Sequence, residues 1–229
     1  MTTRAKLILF DIDGTLVDTG GAGARSWAWA FEQVFHRQID IAEHSTAGMT
    51  DPAIARATFT EAMERKPTAA ELERLMASYQ AVLPDYVASS KDYRVLLGVE
   101  ELLERLSGAK ILLGLTTGGL EAAAHAKLGR AGLNHFFSVG GYGSDYEDRI
   151  ALTRVAVIRG ERLLGHGLAP REVIVVGDTP LDIAAAEGVG AVSVGVASGR
   201  YGVDELRAAG ADRVLVSLAE DYQFPDEPS

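Results

Sequence analysis

Four consecutive apolar residues, Leu7-Ile8-Leu9-Phe10, break off into Asp11-Ile12-Asp13-Gly14-Thr15. An unbroken apolar run of this length, bounded by polar and glycine positions, predicts a strand buried on both faces. Residues two apart on an extended chain share a side, so Asp11 and Asp13 project together beyond the strand end. Gly14 then permits a sharp turn. From Gly20 onward the period lengthens: Trp27, Phe31, Val34 and Phe35 fall on one helical face, with Arg25, Glu32 and Gln33 elsewhere. A second helix is predicted from Asp51-Pro52, with Asp51 as N-cap and Pro52 at the first helical position, presenting Ile54, Ala57 or Thr58, and Ala62. A third opens on Thr68 and Glu71 at capping-box spacing and carries Leu72, Leu75, Met76, Tyr79 and Leu83 in one stripe. It is expected to end or kink at Pro84. Three helices with no strand between them predict an inserted all-helical unit.

Beyond Ser90 the pattern alternates. A helix over 99–106 is stopped by Gly108, a strand covers 110–116, and a helix over 120–132 has Gly132 near its C-cap. Strands at 136–140, 172–176, 191–196 and 213–216 then alternate with helices at 149–163, 180–187 and 203–209. Strict alternation predicts an α/β fold: a doubly wound, mostly parallel sheet covered on both faces. The expected division is a core of residues 1–17 and 91–229 with a small helical cap over 18–90. Ligands in such sheets bind beyond the carboxyl ends of the strands, where Asp11 and Asp13 project. The polar, proline-containing tail over 223–229 is expected to be loose.

Composition narrows the chemistry. With 22 Lys+Arg against 32 Asp+Glu and no cluster of cations, the net charge of -10 disfavours a nucleic-acid partner. No apolar run approaches the ~20 residues that cross a bilayer, and the Met-Thr-Thr-Arg start lacks a signal segment, so a cytoplasmic protein without a membrane partner is expected. The absence of cysteine excludes disulfides, thiol catalysis and Cys-ligated metal centres. Any metal must be held by oxygen or histidine, and the five histidines are scattered, each read as surface or loop. The Gly141/Gly143 and Gly188/Gly190 pairs lack the third small residue of a dinucleotide fingerprint, and there is no P-loop, Gly-x-Ser-x-Gly elbow or His-Glu-x-x-His.

Asp-x-Asp-Gly-Thr after a hydrophobic strand resembles the nucleophile motif of the haloacid dehalogenase superfamily, whose phosphatases attack with the first aspartate and use the second as acid and base. The resemblance runs from residue 7 to about 219 and is closest to the phosphoglycolate phosphatase-like branch with a helical cap. It implies a Ser or Thr at the end of a second strand that binds the transferring phosphoryl oxygens. In Thr116-Thr117-Gly118-Gly119, Thr117 matches best and Thr116 is the alternative, with the backbone at Gly118 beside them. Read without the resemblance, this is a strand-to-helix loop with a capping threonine, or an anion cradle at a helix N-terminus. The family's next motif is a Lys, often followed by Pro; here Tyr146-Glu147-Asp148-Arg149-Ile150 stands in its place. Arg149 grips phosphate as a fork, not as a point charge. A surface ion pair with Asp145 or Glu147 is the other reading of Arg149, and Lys127 is the alternative cation unless it is a solvated lysine. The last motif, Gly177-Asp178-Thr179-Pro180-Leu181-Asp182, is similar to the family's metal-binding acidic pair, with Pro180 placing Asp182 in the first turn of a helix.

Carboxylates gathered with a phosphate dianion repel by roughly 4 kcal/mol per pair at 4 Å and an effective dielectric near 20, so the site needs a cation. Hard oxygen ligands favour Mg²⁺. By resemblance its ligands are the Asp11 side chain, the Asp13 main-chain carbonyl and Asp178, with Asp182 supporting them. The loop Thr46-Ala47-Gly48-Met49-Thr50-Asp51 looks similar to the cap loop that faces the site, and reads equally as a turn plus an N-cap. The implied function is a Mg²⁺-dependent phosphatase acting on a small phosphorylated metabolite, with Asp11, Asp13, Thr117 and Arg149 in the chemistry. Asp13 argues against dehalogenase and phosphonate chemistry. The alternatives are a sugar phosphomutase of the same superfamily and a non-catalytic phosphate-binding relative.

Overall fold

The first strand, β1 (Leu7–Phe10), is fully buried, and its alternation feeds two separate cores. Ile8 and Phe10 join the apolar cluster on one face of the sheet, Leu7 and Leu9 the cluster on the other, which is why the run shows no polar position. The computed structural model describes residues 5–41, 47–109, 111–222 and 224. Thr46 of the expected cap loop, His44, and Lys110 at the start of the expected second core strand lie outside these residues. So does the tail apart from Phe224, which is buried with its ring edge-on to Tyr222 at 4.8 Å and is not loose.

In chain order, β1 and β2 (Val17–Asp18) precede three helices, α1 (Ala22–Phe35), α2 (Asp51–Met63) and α3 (Ala69–Ser89). Then come β3 (Arg94–Val95), α4 (Val99–Ser107), β4 (Leu112–Thr117), α5 (Glu121–Gly129) and β5 (Val139–Tyr142). The chain continues through α6 (Arg149–Leu164), β6 (Val173–Gly177), α7 (Pro180–Val189), β7 (Val192–Val196), α8 (Val203–Ala208) and β8 (Arg213–Leu215). The six-stranded sheet has the order β5-β4-β1-β6-β7-β8, and every neighbouring pair is parallel. β1 is the strand at which the order reverses, with β4 and β5 to one side and β6 to β8 to the other. At such a point the crossovers leave in opposite directions and a crevice opens at the strand's carboxyl end. A two-stranded antiparallel ribbon that the pattern does not announce, β2 with β3, joins the two ends of the helical segment.

The helices α1, α2 and α3 share an apolar cluster of their own, to which Leu120 and Ala123 also belong. Its centre is Trp27 stacked on Tyr79, with ring centroids 4.0 Å apart. Local details differ from expectation. Thr50, not Asp51, caps α2, placing Pro52 at the second position; Ala55, Thr58 and Phe59 are buried, Ile54 packs partly buried against the same cluster, and Ala62 is only half-buried. Pro84 neither ends nor interrupts α3, which runs on to Ser89 with the proline on its exposed side. α5 stops at Gly129, and Gly132, at φ 70°, opens a short 3₁₀ turn over Leu133–Phe136 instead of closing the helix. The following strand therefore starts at Val139, three residues later than the apolar pattern indicates.

Candidate active site

Asp11 follows β1 directly. Its N–H donates to the Val176 carbonyl at 2.9 Å, so strand pairing continues past the sheet end and fixes a buried side chain in the crevice. Asp178 stands at the same place after β6. Asp182 lies in the first turn of α7, where Thr179 and Asp182 cap each other: its Oδ2 accepts from the Thr179 N–H at 3.0 Å and hydroxyl at 2.6 Å. One oxygen from each of Asp11, Asp178 and Asp182 lies within 4.8 Å of the others, and all three residues are buried. Such crowding needs backbone without side chains. Gly14 sits at φ 83°, and a Cβ there would come 2.4 Å from Asp178 Oδ2; one at Gly199, after β7, would come within 1.7 Å. Ser198 ties that loop to the first motif by donating to the Gly14 carbonyl at 2.7 Å.

Arg149, at the start of α6, is buried and donates through Nη2 to Asp11 Oδ1 at 3.0 Å and also to Asp182. The surface-pair reading of Arg149 fails, because Asp145 pairs with Arg159 at 2.7 Å and Glu147 with Arg56 at 3.1 Å. Arg149 Nε is a buried donor without a hydrogen-bond partner among the described residues. Burial pushes the Asp11 carboxyl up to about 7; Arg149 opposes this, and Asp182 and Asp13 reinforce it. Asp178 is pushed up to about 8 by burial and by the charges of Asp11 and Asp182. Oxygen-only donors, held close, desolvated and short of positive charge, fit a hard divalent cation.

Thr117 and Thr116 point to opposite faces of the sheet, as period two requires. Thr117 lines the cavity, and its Oγ1 accepts from the Gly119 N–H at 3.2 Å. Thr116 turns away, its hydroxyl 2.7 Å from that of Thr153 on α6, so the structure does not bring this expected phosphate-binding residue to the site. Gly118 lines the cavity where the cap loop crosses: a Cβ on it would meet the Met49 carbonyl oxygen at 2.6 Å.

Asp13 is set apart from the three-carboxylate cluster. Its side chain is about half exposed and its Oδ2 accepts from Lys127 Nζ at 2.5 Å. Lys127 is not a solvated lysine, being only 6% exposed. Burial pulls its pKa down, but Asp13, Tyr79 and Asp51 outweigh this, and the net direction is up. Asp51 does not cap its own helix: its Oδ2 accepts from the Leu120 N–H at 2.9 Å and its N–H donates to the Gly118 carbonyl at 2.8 Å. Asp11, Asp13, Asp51, Thr117, Lys127 and Arg149 all face one cavity of about 360 Å³, whose outer wall includes Trp27, Ile54 and Tyr79 from the helical segment. The four described histidines are exposed and stand outside it.

Asp51, expected only as a helix cap or as part of a loop facing the site, and Lys127, expected as an alternative phosphate cation or a solvated lysine, both line the cavity. Lys127 carried a signal, since it shares the apolar face of α5 with Ala123, Ala124 and Leu128. For Asp51 the signal was its place in the loop similar to a site-facing cap loop, and an aspartate before proline reads equally as a cap.

The profile of the haloacid dehalogenase-like hydrolases matches residues 5–190. The chain belongs to that family. It is therefore a hydrolase. Over 216 residues it is 27% identical to the probable phosphatase IndB of Dickeya dadantii (strain 3937), covering 93% of this chain and 90% of that one. Among solved structures, its fold is similar to a predicted phosphoglycolate phosphatase from Haemophilus somnus 129pt, with a TM-score of 0.73 and 23% identity over 96% and 97% of the two chains. It is also similar to CbbY from Rhodobacter sphaeroides in complex with phosphate, with a TM-score of 0.75 and 22% identity over 94% and 96%. No helix among the described residues is long and apolar enough to cross a membrane.

Proposed function

We propose that this hydrolase is a Mg²⁺-dependent phosphatase that releases phosphate from a small monoester through an aspartyl phosphate on Asp11. The observation that carries the reading is that buried Asp11, which lines the cavity together with Arg149, is also one member of a three-carboxylate cluster with Asp178 and Asp182. Asp11, Asp178 and the main-chain carbonyl of Asp13 would hold the ion, supported by Asp182. When bound, Mg²⁺ supplies the positive charge that lets carboxylates and a phosphate dianion share the site.

Asp11 attacks phosphorus in line, fixed by Arg149 on one oxygen and by the strand end beneath it. Arg149 and the Thr117 hydroxyl hold the phosphoryl oxygens, so positioning and charge compensation do most of the catalysis. Asp13, nearer solvent and outside the buried cluster, gives a proton to the leaving oxygen and later takes one from the water that cleaves the aspartyl phosphate. The segment 18–90 acts as the cap over a core of residues 1–17 and 91–229, and loop residues 47–51 meet the leaving group. The cytoplasmic location expected from the sequence belongs to the same proposal.

Phosphate release from p-nitrophenyl phosphate, followed with Mg²⁺ and then with EDTA, tests this. Release that EDTA abolishes and Mg²⁺ restores is expected; none above background in Mg²⁺ overturns the reading. Free phosphate from a labelled hexose phosphate, without its isomer, separates it from the phosphomutase alternative.

A further inference from the structure

We infer that Lys127 is a positioning residue that aims the Asp13 carboxylate at the leaving-group oxygen, and that Asp51 of α2, on the wall of the same cavity, helps keep its charge there. The inference rests on the phosphatase reading above. Asp13 extends half exposed from the loop after β1, and Lys127 Nζ, at 2.5 Å, is the one hydrogen-bond partner of its carboxylate recorded among the described residues. A proton donor of this kind is effective only when its oxygen is held within reach of the reacting atom.

Lys127 is itself held unusually. A lysine stem is flexible, and a lysine with one half-exposed partner ordinarily extends its ammonium into water. Here the side chain stays buried beneath the helical segment. The groups whose fields act on it are Asp13, Asp51 and the Tyr79 hydroxyl, drawn from the β1 loop, α2 and α3. Asp51 is fixed in turn by the Leu120 N–H and by Trp27, whose ring stacks on Tyr79. Three separate parts of the fold thus bring polar groups to the cavity that this ammonium lines, and its recorded hydrogen bond is to Asp13. Arg149 takes no part, because Asp11 and Asp182 occupy it.

Leaving-group dependence reads the aim of the proton donor. An ester with a basic leaving group needs protonation at the bridging oxygen, whereas p-nitrophenolate departs with little help. The experiment compares kcat/KM for phenyl phosphate and p-nitrophenyl phosphate in wild type, Lys127→Met, Lys127→Arg and Asp51→Asn, with thermal melts alongside. Lys127→Met should lose about tenfold more on phenyl phosphate than on p-nitrophenyl phosphate, a one-decade steepening that general acid catalysis accommodates. Lys127→Arg should recover part of that difference. Asp51→Asn keeps an oxygen for the Leu120 N–H and should show the same selective loss, smaller in size. Equal losses on both esters would overturn the inference and leave the phosphatase reading intact. Failure of the wild type to hydrolyse either ester in Mg²⁺ overturns both. If Lys127→Met does not fold, Asp51→Asn decides by the same ratio.

Discussion

Arg149 Nη2 stands 3.0 Å from Asp11 Oδ1, and the same nitrogen reaches Asp182, so one guanidinium joins the end of β1 to the first turn of α7. Both carboxylates are buried, and neither is tolerable there without it. Arg149→Met should destabilise the metal-free protein by about 3–5 kcal/mol, the usual consequence of breaking a buried pair. Urea unfolding in EDTA measures this, and a loss under about 1 kcal/mol, the range of exposed pairs, would count against a structural role. Arg149→Lys keeps the charge without the fork, so KM for a phosphate ester should rise on the order of tenfold.

The three-carboxylate cluster should make stability metal-dependent. Mg²⁺ at a hundred times its dissociation constant should add about 2.7 kcal/mol, because it binds only the folded site. Thermal melts of the wild type with Mg²⁺ and with EDTA should differ, and Asp178→Asn should remove most of the difference. Superimposable wild-type melts would argue against the cluster as a cation site.

The same acids set a pH trend of definite sign. Asp178, raised to about 8, and Asp11, raised to about 7, keep protons in the folded state that the unfolded chain loses near pH 4. Through that window the folded state binds more protons, so these groups' contribution to stability falls as pH rises. In EDTA, the urea midpoint of the wild type relative to Asp178→Asn should be lower at pH 8.5 than at pH 5.5. A difference independent of pH would contradict the burial argument.

Thr116 and Thr117 are adjacent and should differ in their effect on KM. Thr117→Val removes a hydroxyl that faces the cavity and accepts from the buried Gly119 N–H, so KM should rise about tenfold, with about 1–3 kcal/mol of stability lost for the unpaired N–H. Thr116→Val breaks the buried 2.7 Å contact with Thr153, and should cost about 1–3 kcal/mol while leaving KM near normal. Steady-state kinetics beside urea unfolding separates the two, and a reversed pattern would mean that the strand register is wrong.

Features made by neighbouring residues were legible in the chain. The apolar run 7–10 ending in Asp11, the Thr68/Glu71 capping box and the Pro180 helix start carrying Asp182 each depend on backbone period or on contacts a few residues apart. Features that need solvent exposure to be known were not. Pro84 sits inside α3 on its exposed side, and Phe224 is buried in a tail whose composition reads as loose. Asp51 accepts from the Leu120 N–H, 69 residues away, and does not cap its own helix.

The sequence by itself determined the alternating α/β plan, the strand-end placement of Asp11 and Asp178, and the family resemblance these motifs carry, because strand and helix periods and turn chemistry are local. The tertiary structure alone decided that Arg149 is buried between Asp11 and Asp182, that Thr117 and not Thr116 faces the cavity, and that Lys127 is drawn inward beside Asp13 and Asp51. Each of those outcomes depends on which distant groups share a low-dielectric space, and a linear pattern contains no term for that.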